Sequence, residues 1–457
     1  MICFIYRLYS VFLICLCATT VYAQAPLPAN SISQSFQRLL YSSNSTSIDK
    51  VIRHIGDNWD QSYIPQLLEI LYFNPNHFTE TSVIHLLTEK TQQNFGRDIN
   101  QWYRWLWNQP EHITQDYADF KRQLYQRIDP RFGPYFKDRQ ATARIRLDEI
   151  RWGGVRQDGI PPLRKPKMLD ASDADYLADE HIVFGIKING DARAYPKRIL
   201  AWHEMFVDTI GGVDIAGVYC TLCGTVIPYK TKVNGKVHQL GTSGFLYRSN
   251  KLMYDKETQS LWSTMTGKPV VGPLVDKGIQ LDYVGVVTST WAEWKRRHPN
   301  TRVLSLDTGH RRDYGEGIAY QDYFATDQLM FNTPFEDKRL NNKQEVLALR
   351  FAGSPMDQLA IDTDFLAKHP LYTGQIGRQA FIVLSDSSGA NRVYDPENID
   401  FVAYDQDSQV TDAQGNTWAV TEEQLVSKSG RVLQRLPYHR AFWFGWQAAY
   451  PQTQLIQ

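Results

Sequence analysis

Cysteine is scarce in this chain of 457 residues, with five in all. Three of them (Cys3, Cys15 and Cys17) lie at the extreme N-terminus, so Cys220 and Cys223 are the only pair in the body of the protein. That excludes a scaffold stapled by disulfides. Charge of one sign is lacking too: 49 basic and 49 acidic residues cancel. No nucleic-acid footprint and no polybasic membrane patch is expected from that balance. Beyond the first 23 residues no run is apolar enough to span a bilayer. Nucleotide fingerprints, phosphate loops and Gly-x-Ser-x-Gly elbows are absent. A haem attachment site needs His after the second cysteine, and position 224 is Gly.

What the N-terminus does have is the pattern of a signal peptide over residues 1–23. Arg7 is its positive start, Val11 to Thr20 its short apolar run, and Val21-Tyr22-Ala23 its cleavage site before Gln24. The expected location is periplasmic or secreted, with no membrane span in the mature chain; an uncleaved anchor is the other reading.

Residues 24–141 read as a helical domain. Apolar residues recur at helical spacing in Tyr63–Leu71, Ser82–Thr91 and Ile99–Trp107, with Pro65 in a first turn. Stacked helical repeats or an irregular bundle both fit, and such a domain is a candidate for recruiting a protein partner. An ordered, turn-rich connector follows over Ala143–Lys167. From Ile182 the period becomes two: Ile182–Ile188 is a strand, Asn189-Gly190 a hairpin turn, and Lys197–His203 a short helix after Pro196. Val213–Tyr219, Thr225–Lys232 and Gln280–Thr288 are further strands, and Trp291–His298 a helix. The expected fold is α+β: an all-helical N-terminal domain, then a mainly antiparallel β-rich unit with short helices.

That β-rich unit is expected twice, as copy one over 142–335 and a degenerate copy two over 336–457. Thr290-Trp291-Ala292-Glu293-Trp294 with Pro299-Asn300-Thr301 matches Phe442-Trp443-Phe444-Gly445-Trp446 with Pro451-Gln452-Thr453 without a gap. Val183–Gly190 matches Val346–Gly353, and the segment around Trp262 matches that around Trp418. Val218-Tyr219-Cys220-Thr221-Leu222-Cys223-Gly224 aligns with Val383-Leu384-Ser385-Asp386-Ser387-Ser388-Gly389. Serine replaces both cysteines in copy two. Cysteine that merely filled a core would exchange for apolar residues instead.

The quoted stretches also carry a family resemblance. Ala192-Arg193-Ala194-Tyr195-Pro196, Trp202-His203-Glu204, Tyr219-Cys220-Thr221-Leu222-Cys223-Gly224-Thr225, Ser243-Gly244-Phe245-Leu246-Tyr247 and Leu252-Met253-Tyr254-Asp255 resemble domain of unknown function 3179. The resemblance covers about residues 143 to 457. It implies a fold unit and an extracytoplasmic setting, but no reaction. Position 221, often proline in such sequences, is threonine here.

Three readings of the cysteine pair stay open. In the first, Cys220 and Cys223 on a tight turn bind a soft metal, copper or zinc, completed by His203 and Met253, with His238, Glu204 and Asp255 as further candidate ligands. A Cys-Cys-His set leaves a position open for catalysis or metal transfer. In the second, the pair cycles between dithiol and disulfide without metal. A strand after Gly224, with Pro228, argues against the helix that a thioredoxin-type site uses. In the third, the pair is a structural disulfide, and the protein is a non-enzymatic binding module. Ser243, Asn250, Asp255 and Trp262 form a polar constellation expected to line a pocket over the thiols, although Asp255–Thr258 is also ordinary turn chemistry. His203 alone is equally a helix C-terminal residue. Asp307-Thr308-Gly309 resembles half an aspartic-protease signature, but its second half is missing.

Overall fold

A computed structural model describes residues 32–457 apart from 74–75, 113, 138–141 and 352–356. The stretch read as a signal peptide, with Cys3, Cys15 and Cys17, lies outside the described residues, as does Gly353 at the end of one repeat match. The fold is α+β, with helices concentrated at the N-terminus and antiparallel sheets after them. Among the described residues no helix is long and apolar enough to cross a membrane.

Among the described residues six α-helices come first: α1 (Ile32–Tyr41), α2 (Ser45–Asp57), α3 (Ile64–Tyr72), α4 (His77–Thr91), α5 (Ile99–Trp107) and α6 (Gln115–Gln126). The starts of α2 to α6 have local causes. Asn44, Asn76, Asp98 and Thr114 accept hydrogen bonds from the first free N–H groups of α2, α4, α5 and α6, and Pro65 occupies the first turn of α3. Their apolar faces do not close on themselves. The core they form continues into Phe245, Leu252, Tyr254 and Leu261 of the following sheet. Phe245 is ringed edge-on by Tyr125, Phe132, Tyr135 and Phe136.

One charged group sits inside this core. The Glu69 carboxylate accepts from Tyr117 (2.9 Å), Tyr125 (2.8 Å) and Lys121 (2.5 Å), all buried. Lys121 also donates to the carbonyl of Ile150 at 2.8 Å, which ties α6 to the edge strand Ile150–Trp152. Burial pushes the Lys121 ammonium down, and the Glu69 charge acts against that.

The β-rich part holds two units of one topology. In the first, Val287–Thr290, Ile182–Ile188, Asp191–Pro196 and Arg302–Leu304 lie side by side. In the second, His439–Phe442, Glu345–Leu349, Leu359–Asp362 and Gln454–Ile456 do the same. In both, the first three strands are antiparallel and the fourth runs parallel to the third. The helices Trp291–Arg297 and Trp443–Ala449 each bury a tryptophan whose indole N–H meets a threonine hydroxyl. The bonds Trp294 to Thr301 and Trp446 to Thr453 are both 2.9 Å. A three-stranded meander follows in each unit, Met205–Ile210, Val213–Cys220 and Thr225–Lys230 against Leu371–Ile376, Gln379–Ser385 and Asn391–Tyr394. Cys220 and Ser385 each end the middle strand.

The units are seated on one another reciprocally. Gly224, just after Cys223, packs so closely on Phe442 that a Cβ there would stand 2.8 Å from its ring. Gly445 leaves the same kind of gap over Cys223, at 3.1 Å from its Cβ. Conversely, Arg297 of the first unit's helix reaches Asp386 beside Ser385 (3.8 Å), and Trp291 and Trp294 share a core with Ala390. The connector between the helices and the first sheet is ordered as expected, pairing Ile150–Trp152 with Phe245–Tyr247 and Leu163–Arg164 with Phe206–Val207. The strand expected over Gln280–Thr288 forms only at Val287–Thr290. Upstream, Leu281, Asp282 and Val284 hydrogen-bond instead to Gly267, Lys230 and Pro228.

Replacing Lys121 with alanine strands Glu69 in the core. The expected cost is about 3–5 kcal/mol in urea unfolding, with a Lys121→Met/Glu69→Leu pair costing clearly less.

Candidate functional site

The centre of the site is the turn Cys220–Thr225. The strand Val213–Cys220 ends in a single 3-10 turn, Thr221–Cys223, and Gly224 (φ 58°) reverses the chain into the next strand. The two sulfurs are bonded to each other, with Cα atoms 5.3 Å apart. Cys220 is 3% exposed and Cys223 is fully buried. They share a small apolar cluster with Leu222, Leu246, Tyr323, Phe442 and Phe444.

What covers the turn comes from far along the chain. Helix Trp443–Ala449 closes one side through Gly445. The other side is closed by a segment between the two units that holds one short helix, Gln321–Phe324. Tyr323 donates from its hydroxyl to the Leu222 carbonyl at 2.8 Å, and Tyr320, Phe324, Leu329 and Phe331 pack on the cluster.

The third wall is a hairpin tip. Tyr247 pairs with Asn250, leaving a two-residue turn, Arg248-Ser249, with φ 49° and 61°. Both central residues of such a turn need positive φ, and Asn-Gly is the usual solution. Here the side chains are used. Arg248 binds Glu149 (2.5 Å), and the Ser249 hydroxyl donates to Phe331 (2.5 Å). The Ser249 carbonyl lies 3.2 Å from Cys223 Sγ, placed to accept from this sulfur in a dithiol form.

Beside the turn lies a cavity of about 60 Å³, bordered by Leu222, Glu204, Lys251, Thr242, Tyr320 and Phe331. Lys251, buried near the start of the strand Asn250–Asp255, pairs with the Glu204 carboxylate at 2.8 Å and its carbonyl at 3.2 Å. Burial lowers the Lys251 ammonium, and Glu204 opposes the shift. Glu204 itself stands at the end of helix Lys197–His203 with φ 55°, where glycine fits at no steric cost. A glutamate there keeps the lysine paired.

The expected Cys-Cys-His-Met centre for copper or zinc is not assembled. His203 Nδ1 lies 2.9 Å from the Pro161 carbonyl, so it carries the proton. Nε2 is then the acceptor for the Tyr314 hydroxyl at 2.6 Å, and no lone pair is left for an ion. Met253 packs in a different apolar core, next to Trp262 across the sheet. Among the described residues no group of three or more His, Cys, Asp or Glu is arranged to hold a metal.

The polar constellation separates as well. Asn250 stays with the turn, donating to Gly445 at 2.9 Å and Arg248 at 3.2 Å, while its Oδ1 is buried without a partner. Ser243 fastens the bulge in its own strand, donating to Leu252 (2.6 Å) and accepting from Phe245 (3.0 Å). Asp255 lies five residues along the strand from Asn250, about 16 Å away. It accepts from Glu257, Thr258 and His238 as a turn residue. Trp262 lies beside that His238, its ring tilted and its centroid 5.2 Å away, so neither it nor Asp255 reaches the sulfurs. Glu257 pairs with Lys236 at the surface, and His369 bonds only its own helix. Asp307 lies in an exposed loop with Lys167.

Lys251 and Tyr320 were not singled out from sequence. Lys251 carries a signal, a lone cation in a strand, Asn250–Asp255, whose next three members are apolar. Tyr320 carries none, since its contact with Glu204 (3.4 Å) spans 116 residues.

These features define a class: a β-rich protein of two matching units, with one buried Cys-x-x-Cys turn clasped between them. A family model described as "Protein of unknown function (DUF3179)" matches residues 157–453, and the chain belongs to that family. Comparisons with curated proteins and with solved structures gave no match.

His203 is depressed to about 4, chiefly because burial disfavours its charged form, and His439 to about 3 for the same reason. A histidine depressed on folding contributes stability that is present above its unfolded value of about 6.5 and is lost as pH falls through the folded value. The urea midpoint is therefore expected to fall between pH 6.5 and 4, and less steeply in His203→Gln. An unchanged slope in that variant removes His203 from the account.

Proposed function

We propose that this chain is an exported thiol–disulfide redox protein in which Cys220 and Cys223 are the redox pair. The observation that carries this reading is the comparison of the two turns. In the second unit the corresponding turn, Ser385–Gly389, is held without cysteine. Asp386 accepts from the Ser388 N–H (3.0 Å), the Ser388 hydroxyl (2.6 Å), the Ala390 N–H (3.1 Å) and Arg392 (2.7 Å). The shape therefore does not need sulfur. A disulfide across three residues also closes so short a loop that its stabilisation is about 2 kcal/mol, the low end for such links.

The chemistry is exchange with a partner dithiol. A partner thiolate attacks one sulfur, the Cys220–Cys223 bond breaks, and a mixed disulfide forms. The second partner thiol then releases the pair as two thiols and leaves the partner oxidised, with two electrons and two protons transferred. The reverse sequence oxidises a partner. Both sulfurs are covered, so exchange requires the segment around Tyr323 to lift. Its few regular hydrogen bonds support that reading. Export rests on the signal-like pattern of residues 1–23.

Equilibration of the full chain in glutathione buffers, followed by alkylation of free thiols, tests the reading. The pair is expected to titrate within the range of known oxidoreductases, about −270 to −120 mV. A pair still oxidised below about −300 mV, or a reduced protein carrying stoichiometric copper or zinc, overturns it. Tyr323→Phe, which removes one hydrogen bond of about 1 kcal/mol from the cover, is expected to speed reduction about fivefold. Cys220→Ser/Cys223→Ser is expected to stay folded, at a cost of no more than about 2 kcal/mol.

A further inference from the structure

Away from the cysteine turn, the two units leave between them a groove of about 810 Å³, within the size range of small-molecule sites. Its lining is basic. Lys187, Lys230 and Lys268 come from the first unit, Arg350 and Arg435 from the second. Three carboxylates also line it, but two are engaged. Glu422 is held by Arg392 and Arg435 (2.8 and 2.6 Å), and Glu423 by Lys187 (3.7 Å). That leaves Lys230, Lys268 and Arg350 facing Asp282 alone. Lys230 and Lys268 are exposed and form no ion pair among the described residues.

Arg350 is the unusual member. Its guanidinium lies over the Tyr283 ring, 4.3 Å from the centroid, and Nη2 donates to the Tyr229 hydroxyl at 3.2 Å. Its Nε is buried without a partner, and no carboxylate among the described residues pairs with it. A largely buried guanidinium normally answers a carboxylate or phosphate, because its planar fork matches two oxygens at once. Stacking on Tyr283 holds that fork rigid, so little freedom remains to be lost when an anion arrives. The two free lysines raise the local potential for the same charge.

We propose that this groove binds a small molecule bearing a carboxylate or phosphate oxyanion, with Arg350 as its anchor and Lys230 and Lys268 as steering cations. The site is separate from the cysteine turn and does not depend on its redox chemistry.

Calorimetric titration of the full chain with trigalacturonate, glycerol phosphate and neutral maltotriose tests this. At least one of the two acids is expected to bind, more tightly at low than at physiological salt, and maltotriose is not. Which acid binds separates the carboxylate source from the phosphate source. Arg350→Gln is expected to weaken binding about tenfold, and Lys230→Gln/Lys268→Gln about threefold. The double variant changes only exposed side chains, so it reports on the groove even where Arg350→Gln perturbs packing. Binding is expected to be unchanged in Cys220→Ser/Cys223→Ser. The proposal falls if neither acid binds better than maltotriose, or if neither the Arg350 nor the lysine variant weakens binding.

Discussion

The structure depends on a reciprocal seating. Each unit builds a short helix around a tryptophan and places it against the turn of the other unit. On one side the partners are charged, with Arg297 reaching Asp386. On the other they are apolar and very close, with two glycines making room, Gly224 for Phe442 and Gly445 for Cys223. The Trp294–Thr301 and Trp446–Thr453 bonds hold each helix in the same pose against its partner turn. The apolar side is the one that holds the sulfurs, and burial there follows from the missing Cβ atoms. A Cβ at 224 has to displace the Phe442 ring, and one at 445 presses on Cys223 by a few tenths of an ångström.

Seen this way, the second unit is more than a decayed copy. It supplies the helix that covers the cysteine turn and the arginine that sits uncompensated in the groove. Its own turn shows how the same backbone is held by a single buried aspartate. The N-terminal helices have a comparable part in the first unit. Phe245, in the hairpin that reaches the cysteines, is packed on the side of the helices, and Lys121 binds the neighbouring strand. The wall of the site is therefore braced from outside the matched family region.

Local features were legible in the sequence because their causes are local. The strand Ile182–Ile188 and the helices Lys197–His203 and Ile99–Trp107 have the bounds that their periodicity implies. The register placing Ser385 at the position of Cys220 also emerges from the pairing of the two meanders. Side-chain partnership was less legible. His203 appears near the cysteines in the chain, but its partners Pro161 and Tyr314 lie 42 and 111 residues away. Asn250 and Asp255 share a strand, yet its extension carries them to opposite ends. The turn Arg248-Ser249 was missed because it lacks the usual Asn-Gly, and Arg350 because nothing local reveals that a guanidinium has no counter-charge.

The helix that closes over the cysteines, Trp443–Ala449, comes more than two hundred residues after the pair it covers. In a chain made from its N-terminus, the thiols are complete long before their cover exists. Strand, turn and hairpin tip can assemble while the sulfurs remain open to oxidants, reductants or enzymes in the surrounding solution. Arrival of helix Trp443–Ala449 then closes that window. The pair therefore passes through an open stage before it is clasped, and only afterwards does its exchange depend on the cover moving.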